Sequence, residues 1–441
     1  MLTFLRTIVS WIFYNGLYFG GIGIALASIF RRAEWGLFVM VAFMPQPNIY
    51  YKLYDLPYGK DFLDLFFVSV FLGILINKRG FVRSDNSLII LAFLIMSYIS
   101  VWNVSFNFSL PPPVTRDNVV FVIWKSYFVM IFMYFLTVST IQDEKQQKQF
   151  IVVMTFVILL ISVRSFRNFT AGISFSDQSR DAGPFYIVGL GSNHFGAFIA
   201  YCYSFVLGIF LIDKDKKRRI LYLLTLGFSL SPLFFTYSRG AYLAAFFTFL
   251  IYGIIKERRL LIVAVIIILA WQVLLPSSVV ERIQMTETQG GELESSAAAR
   301  LTLWNDAVNM FHAYPVFGSG FKGFTLAHLR EHWSDVHNFY LKTLCEQGII
   351  GITLLAIVFL CALRSGWKLY RSGNSSFQKG LGLGFIGCTM AHMVTNIFGD
   401  RFSYAEIGTY FWIFWGIVDR GILIVEDVKE NGNLQETTLP P

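Results

Sequence analysis

Charged residues are scarce in this sequence. Only 15% of its 441 residues are Asp, Glu, Lys or Arg, whereas 55% are hydrophobic and the mean hydropathy is +0.57. Soluble domains carry about 25% charged residues, and a single hydrophobic core stops growing beyond about 250–300 residues. The composition and the length therefore exclude an ordinary soluble enzyme, because so much apolar surface must face lipid.

Cysteine is also scarce. The chain has four cysteines, each within an apolar stretch and none in C-x-x-C spacing, at Cys202, Cys345, Cys361 and Cys388. A disulfide scaffold and a thiolate metal site are both disfavoured by this pattern.

Long apolar runs are abundant instead. Runs of roughly 20 apolar residues recur along the chain, each is long enough to cross a bilayer, and backbone polar groups in lipid require helices. The sequence therefore predicts an all-α polytopic membrane protein with about 12–13 transmembrane helices, forming a single integral membrane domain over residues 1–441. The predicted spans lie near residues 7–30, 34–46, 62–77, 86–103, 118–140, 150–164, 187–212, 220–236, 239–255, 260–275, 339–363, 380–398 and 405–424.

The first apolar stretch could also be a cleaved signal peptide, because it contains the small-residue sequence Ala25-Leu26-Ala27. It is longer than the ~7–15 residues of a signal core, and Arg31 and Arg32 follow it in the manner of a stop signal. We therefore interpret it as a first membrane helix.

The distribution of Lys and Arg predicts the orientation. Alternate connections between spans hold 19 basic residues in one set and 12 in the other, although the second set is more than twice as long. The richer set is expected in the cytoplasm. The other set faces outward and includes one long outward-facing loop, residues 276–338, which is expected to contain short helices. The net charge of +8 therefore reflects membrane topology and gives no indication of a nucleic acid partner.

Several basic residues lie on the predicted outer side, against this charge bias. Arg180, Arg239 and Arg300 lie in outward connections, and His337 lies where the long loop returns to the membrane. A guanidinium binds phosphate oxygens through paired hydrogen bonds. These residues predict an anionic ligand at the outer membrane face.

Three motifs in this order have a known counterpart. They are T-Y-S-R-G-A-Y-L-A at 236–244, R-L-T-L-W-N-D at 300–306 and V-H-N-F-Y-L-K-T-L at 336–344. Together they resemble the O-antigen ligase and polymerase superfamily, over about residues 180–365. Y-D-L-P-Y at 54–58, W-K-S at 124–126 and E-R-I-Q-M-T at 281–286 are similar to a branch of O-glycosylation ligases linked to exosortase systems.

The resemblance implies a membrane glycosyltransferase that moves a glycan from an undecaprenyl diphosphate carrier to an acceptor hydroxyl. Its site would face the periplasm at the bacterial cytoplasmic (inner) membrane. In this reading Arg239 and Arg300, with Arg180, hold the donor diphosphate, and His337 is the catalytic base. No cofactor or metal is expected, and one base opposite a departing diphosphate predicts inversion. The acceptor stays open between lipid A core, a growing polysaccharide and a protein hydroxyl.

Four further residues are predicted to support the site. Trp304 is expected to pack beside it, and Glu346 is expected to orient a basic partner. Asn193 lies in the span that follows the outward loop carrying Arg180. Lys125 lies in the outer third of a span, where it either reaches the headgroups or lies near the donor.

Simpler readings stand beside these. Arg239 could be a helix-end arginine that reaches the lipid headgroups, and Arg300 could belong to an amphipathic surface helix. His328 and His332 have i, i+4 spacing, but no carboxylate or thiolate completes a zinc motif. The segment 318–323 satisfies G-x-G-x-x-G, yet it follows a helix and not a strand, so we interpret it as a turn. The alternative function is a solute transporter, against which the hydropathy shows no inverted repeat.

Overall fold

A computed structural model describes residues 2–77, 80–169, 180–284, 295–327 and 335–437. Within these ranges the chain forms α-helices and short 3-10 helices and no strand, which confirms the predicted all-α membrane class. The helices are α1 (Leu2–Phe30), α2 (Ala33–Phe43), α3 (Pro47–Tyr50), α4 (Phe62–Ile76), α5 (Ser87–Asn107), α6 (Val119–Thr140), α7 (Glu144–Phe169), α8 (Ser192–Phe210), α9 (Lys216–Phe235), α10 (Arg239–Ile255), α11 (Arg259–Leu274), α12 (Ser277–Gln284), α13 (Ser295–Ala313), α14 (Gly323–Ala327), α15 (Phe339–Ser372), α16 (Ser376–Ile397) and α17 (Ala405–Thr437).

Eight of the described helices are long and apolar enough to cross a bilayer, namely α1, α5, α6, α7, α8, α15, α16 and α17. A ninth span is possible if α11 and α12, which meet at 103°, are taken together. The predicted count was higher because it included shorter or more charged segments. α2, α4 and α10 have 11, 15 and 17 residues, and α9 begins with four consecutive basic residues.

α8, α16 and α17 form the centre of the bundle. Within their apolar windows 83%, 78% and 83% of the residues are buried. Glycines let α8 and α16 approach closely: a Cβ on Gly208 would lie 2.4 Å from the Cα of Gly384. Small residues at such contacts are the usual means by which membrane helices pack, because lipid provides no hydrophobic driving force between them.

The predicted long loop does contain two short helices in its described part, α12 with 8 residues and α14 with 5, and also the longer α13 with 19. Its glycine-rich segment is a turn that packs on α15. The backbone N–H of Ser319 donates to the carbonyl of Cys345 at 2.9 Å, and Gly320 donates to Glu346 at 2.9 Å. Gly318 and Gly348 both have positive φ, and a Cβ on either would strike the other segment. The turn reading of this segment therefore agrees with the structure.

Candidate functional site

Four arginines border one cavity of about 320 Å³. Arg239 is the first residue of α10, Arg282 belongs to α12, Arg300 to α13, and Arg401 to the connection between α16 and α17. The remaining lining residues are Asn193, Ala197, Tyr237, Ser238, Gly240, Ala241, Leu243, Thr395 and Phe398. Residues separated by more than 160 positions in sequence thus converge at one place, and two of the predicted arginines are among them.

The turn between α9 and α10 directs Arg239 to this cavity. Tyr237 adopts a left-handed backbone with φ of 50°, which is uncommon for a residue with a side chain. Its hydroxyl hydrogen-bonds the Ser278 hydroxyl of α12 at 3.0 Å, so the turn is tied to the next lining element. Ser238 is the N-cap of α10. The positive end of the α10 dipole therefore lies at the cavity beside the guanidinium, and both favour an anion.

Arg180 lies next to the cavity, which it reaches through Asn193. Its Nε donates to the carbonyl of Thr236 at 3.1 Å, and its Nη2 donates to the Asn193 Oδ1 at 2.7 Å. Asn193 borders the cavity, whereas Arg180 borders a neighbouring one. Both predicted residues are therefore close to the arginine cluster, and Asn193 lies between Arg180 and the arginine cavity.

Arg282 and Arg401 were missed as site residues by the motif comparison. Arg401 is only 5% exposed, and its backbone N–H donates to the Asn396 Oδ1 at 2.9 Å. Burial lowers the pKa of Arg401, but a guanidinium stays charged in proteins. A signal for both existed in the sequence, because each is a basic residue in a predicted outward connection.

His337 is not among the residues that line the arginine cavity, but Arg300 and Arg401 are close enough to shift its pKa. Its backbone φ is 55°, an unusual value that the surrounding structure must hold in place. Its Nδ1 lies 3.5 Å from the Asp335 Oδ2. Burial is the largest cause that lowers the pKa of His337, Asp335 opposes the shift, and Arg300 and Arg401 lower the pKa further. The imidazole is therefore held neutral near pH 7 and can accept a proton.

A buried ion pair stabilises the segment behind His337. The Lys342 ammonium lies 2.7 Å from the Asp400 Oδ2 and 3.4 Å from the Asp335 Oδ1, and both Lys342 and Asp400 are buried. Burial alone would raise the pKa of Asp400, but Lys342 and Lys322 hold it well below its usual value. Because Asp400 precedes Arg401, this pair links the histidine segment to the arginine cavity.

The supporting residues occupy different places. The Trp304 Nε1 donates to the carbonyl of Val336 at 3.1 Å, so the indole holds the residue before His337. Glu346 is buried under the glycine turn. Lys125 does not border the cavity, and its ammonium pairs with the Asp64 carboxylate at 2.5 Å. The supporting role of Lys125 stays a prediction that this geometry does not favour.

Metal ligands do not cluster in the described part of the chain: no group of three His, Cys, Asp or Glu residues there is arranged to hold an ion. His328 and His332, the pair with zinc-like spacing, lie outside the described residues.

An apolar groove of about 460 Å³ adjoins the arginine cavity. It is formed by α9, α10, α11 and α12 and one aromatic residue of α8, and Arg239 and Leu243 border both spaces. The other lining residues are Tyr203, Leu230, Leu233, Phe234, Tyr242, Ala245, Phe246, Phe249, Ile267, Ile268, Trp271, Leu274, Leu275, Val279 and Ile283. A space bordered by four cationic side chains and an apolar groove therefore meet at the Arg239 guanidinium, as a site for an amphipathic anion would require.

Residues 223–356 match the family model described as O-Antigen ligase. The matched segment runs from α9 into α15 and carries Arg239, Arg282, Arg300 and His337. The match and the apolar helices support a multi-pass membrane protein of a glycan ligase or polymerase family. This match over about a third of the chain supports the resemblance to the O-antigen ligase superfamily that the three motifs indicate. No curated protein matches the chain.

Proposed function

We propose that this protein transfers a glycan from undecaprenyl diphosphate to an acceptor hydroxyl at the outer face of the bacterial inner membrane. The observation that carries the proposal is the convergence of four arginines at the end of an apolar groove. An amphipathic diphosphate with a long hydrocarbon tail has both halves of the chemistry that these two spaces offer.

The arginine cavity would hold the diphosphate. Guanidiniums bind phosphate oxygens in paired, charge-assisted hydrogen bonds, and fixed positive groups stabilise the negative charge that develops on a leaving diphosphate. Arg239 and Arg300 carry the predicted roles, and Arg282 and Arg401 border the same space. Arg180 contributes by orienting Asn193.

The apolar groove would take the isoprene units nearest the diphosphate. Its walls are aliphatic and aromatic side chains, and burial of hydrocarbon against them is favourable and non-directional. Arg239 lies at the junction, so its guanidinium marks where the lipid head group would begin.

His337 would act as the general base. A neutral imidazole accepts the proton of the acceptor hydroxyl while the acceptor oxygen forms a bond to the anomeric carbon. The bond from that carbon to the diphosphate breaks, and its electron pair leaves on the diphosphate oxygen. Attack opposite the leaving group inverts the anomeric configuration. Asp335, 3.5 Å from the imidazole, would stabilise the imidazolium that forms.

Reconstitution tests the proposal. The purified protein in liposomes is given the lipid-linked glycan of the cells that produce it, together with candidate acceptors and EDTA. We expect glycan transfer that falls at least 100-fold in Arg239→Ala and in His337→Ala. Arg259→Ala is the matched control, because Arg259 is the first residue of α11, its side chain is 90% exposed, and the variant should keep wild-type activity.

The competing class has a distinct outcome. Solute uptake by these liposomes without glycan transfer, unchanged by either substitution, would identify a transporter and contradict the proposal. Anomeric configuration, read by NMR of the product, tests inversion separately.

A further inference from the structure

A second polar cavity lies on the other side of Arg180. It has a volume of about 300 Å³ and is built from the connection between α2 and α3, the end of α7 and the segment before α8. Its polar lining includes Gln46, Asn48, Arg164, Arg180, Asp181 and the rim residue Tyr186. The proposed transfer reaction assigns no step to this second cavity.

This cavity is joined to the arginine cavity by one hydrogen bond. Arg180 borders the second cavity, and its guanidinium donates to Asn193, which borders the first. The backbone N–H of Asp181 donates to the carbonyl of Phe235 at 3.2 Å, so the wall is also tied to the end of α9. The two cavities therefore lie on either side of the Arg180–Asn193 pair, and a ligand at the diphosphate position would have the second cavity next to it.

Asn48 gives the clearest sign that this cavity takes a ligand. It is only 9% exposed, and among the described residues its Oδ1 accepts no hydrogen bond. Buried polar atoms in folded proteins nearly always have a partner, because leaving one without a partner is costly. This oxygen has almost no exposed surface in the structure, and rotation of the amide toward the cavity would let a ligand hydroxyl donate to it.

The other polar groups of this cavity also fit a ligand that carries hydroxyl groups. The Asp181 carboxylate is fixed by the Gly183 N–H at 2.8 Å and by the Ser165 hydroxyl, and the Tyr186 ring is 67% exposed at the rim. Amides, a guanidinium and a carboxylate together offer both donors and acceptors. A hydroxyl is itself both donor and acceptor, and an exposed ring can cover the apolar face of a pyranose.

We propose that this second cavity is a saccharide-binding subsite that holds sugar units of the donor glycan or of the acceptor. The inference rests on the proposed function, because it takes the arginine cavity as the diphosphate position. Arg164 and Arg180 are balanced in part by Asp181, which favours a polyhydroxylated neutral ligand over a second phosphate.

Two substitutions test the subsite: Asn48→Leu, which removes the amide at similar size, and Tyr186→Ala, which removes the ring. Tyr186→Phe keeps the ring and is the matched control. Tyr58→Ala is a second control, because Tyr58 is an 86% exposed ring outside this cavity. Full-length protein in nanodiscs is titrated with undecaprenyl diphosphate alone and with the glycan-bearing lipid from the producing cells.

If the subsite holds donor sugars, we expect Asn48→Leu and Tyr186→Ala to weaken binding of the glycan-bearing lipid about 3- to 10-fold. This is the range for loss of one hydrogen bond or stacking contact. Binding of undecaprenyl diphosphate alone should stay within twofold of wild type. A second measurement gives the KM for acceptor at saturating donor. A rise in this KM with unchanged donor binding assigns the subsite to the acceptor.

The proposal is overturned if, in both variants, the affinity for the glycan-bearing lipid and the KM for acceptor stay within twofold of wild type. It is also overturned if the affinity for undecaprenyl diphosphate alone falls as much as the affinity for the glycan-bearing lipid. The second result would show that the substitutions act through Arg180 and Asn193 on the diphosphate position. Absence of transfer by the wild-type protein would reject the proposed function, whereas the binding titrations would still report on the subsite.

Discussion

α9 and α10 both have an arginine in the first turn, but the two arginines have different surroundings. At the start of α9, Arg218 binds the buried Asp213 carboxylate with Nε and Nη2 at 2.7 and 2.9 Å. At the start of α10, Arg239 borders an open cavity with three other guanidiniums. A cation at a helix N-terminus is electrostatically unfavourable. At α9 an adjacent carboxylate offsets this cost. At α10 the guanidinium borders the cavity that, under the proposed function, receives the diphosphate.

The N-cap residues of α9 and α10 differ in the same way as the two arginines. Asp215 caps α9, and the backbone N–H of Arg218 is the main cause that holds the pKa of Asp215 below its usual value. Ser238, the cap of α10, is uncharged and borders the cavity. Residue type and helix position therefore do not distinguish a structural arginine from one proposed to bind a ligand. The space that the guanidinium borders is what differs between Arg218 and Arg239.

Beyond Arg239 and His337, the largest loss of transfer is expected at Arg401, which borders the same cavity as Arg239 and which the family motifs did not indicate. Arg401→Lys keeps the charge but loses the planar fork that binds phosphate bidentately, so we expect transfer to fall about 10- to 100-fold. The measurement is kcat/KM for the lipid-linked glycan. Unchanged kcat/KM would remove Arg401 from the diphosphate position.

Arg218→Ala is expected to lower stability and to leave activity unchanged, the opposite of Arg401→Lys. It leaves the Asp213 carboxylate, which is fully buried, without its bidentate partner, and loss of one partner from such a pair costs on the order of 3 kcal/mol. We expect earlier thermal inactivation in detergent, with kcat/KM per active molecule unchanged below that temperature. A selective loss of donor binding at full stability would show that Arg218 is not structural.

The smallest effect is a shift in the pH profile. The base must be neutral, so transfer is present above the pKa of His337 and is lost as the pH falls through it. Because burial lowers this pKa below 6.5, the acid limb should lie below that pH. Asp335 raises the pKa, so Asp335→Asn should move the acid limb to lower pH, whereas Arg300→Gln should move it to higher pH. An acid limb that stays in place in both variants would argue against His337 as the base.

The fold was largely predictable because hydropathy alone determines which segments enter lipid. The spans predicted near 118–140 and 239–255 match α6 and α10 to within one residue. The span predicted near 187–212 was too long, since residues 183–188 form a separate 3-10 helix and α8 begins at Ser192. A run of apolar letters does not distinguish a short helix at the membrane edge from the beginning of a span.

The site was predictable only in part. Arg239, Arg300 and His337 lie in motifs with a family counterpart, and Arg180 was found by its position on the outer side. Arg282 and Arg401 reach the cavity only through the packing of distant helices. The pairing of Lys342 with Asp400 likewise joins α15 to the connection 58 residues later, and no local pattern gives that distance.

Binding of undecaprenyl diphosphate to the protein in nanodiscs, compared with binding of undecaprenol, tests the central claim most directly. The account predicts that the diphosphate binds much more tightly than the alcohol, and that Arg239→Ala combined with Arg300→Ala removes at least 10-fold of that preference, because charge-assisted phosphate contacts are lost. An equal affinity for both lipids, or a preference unchanged in the double variant, would contradict it.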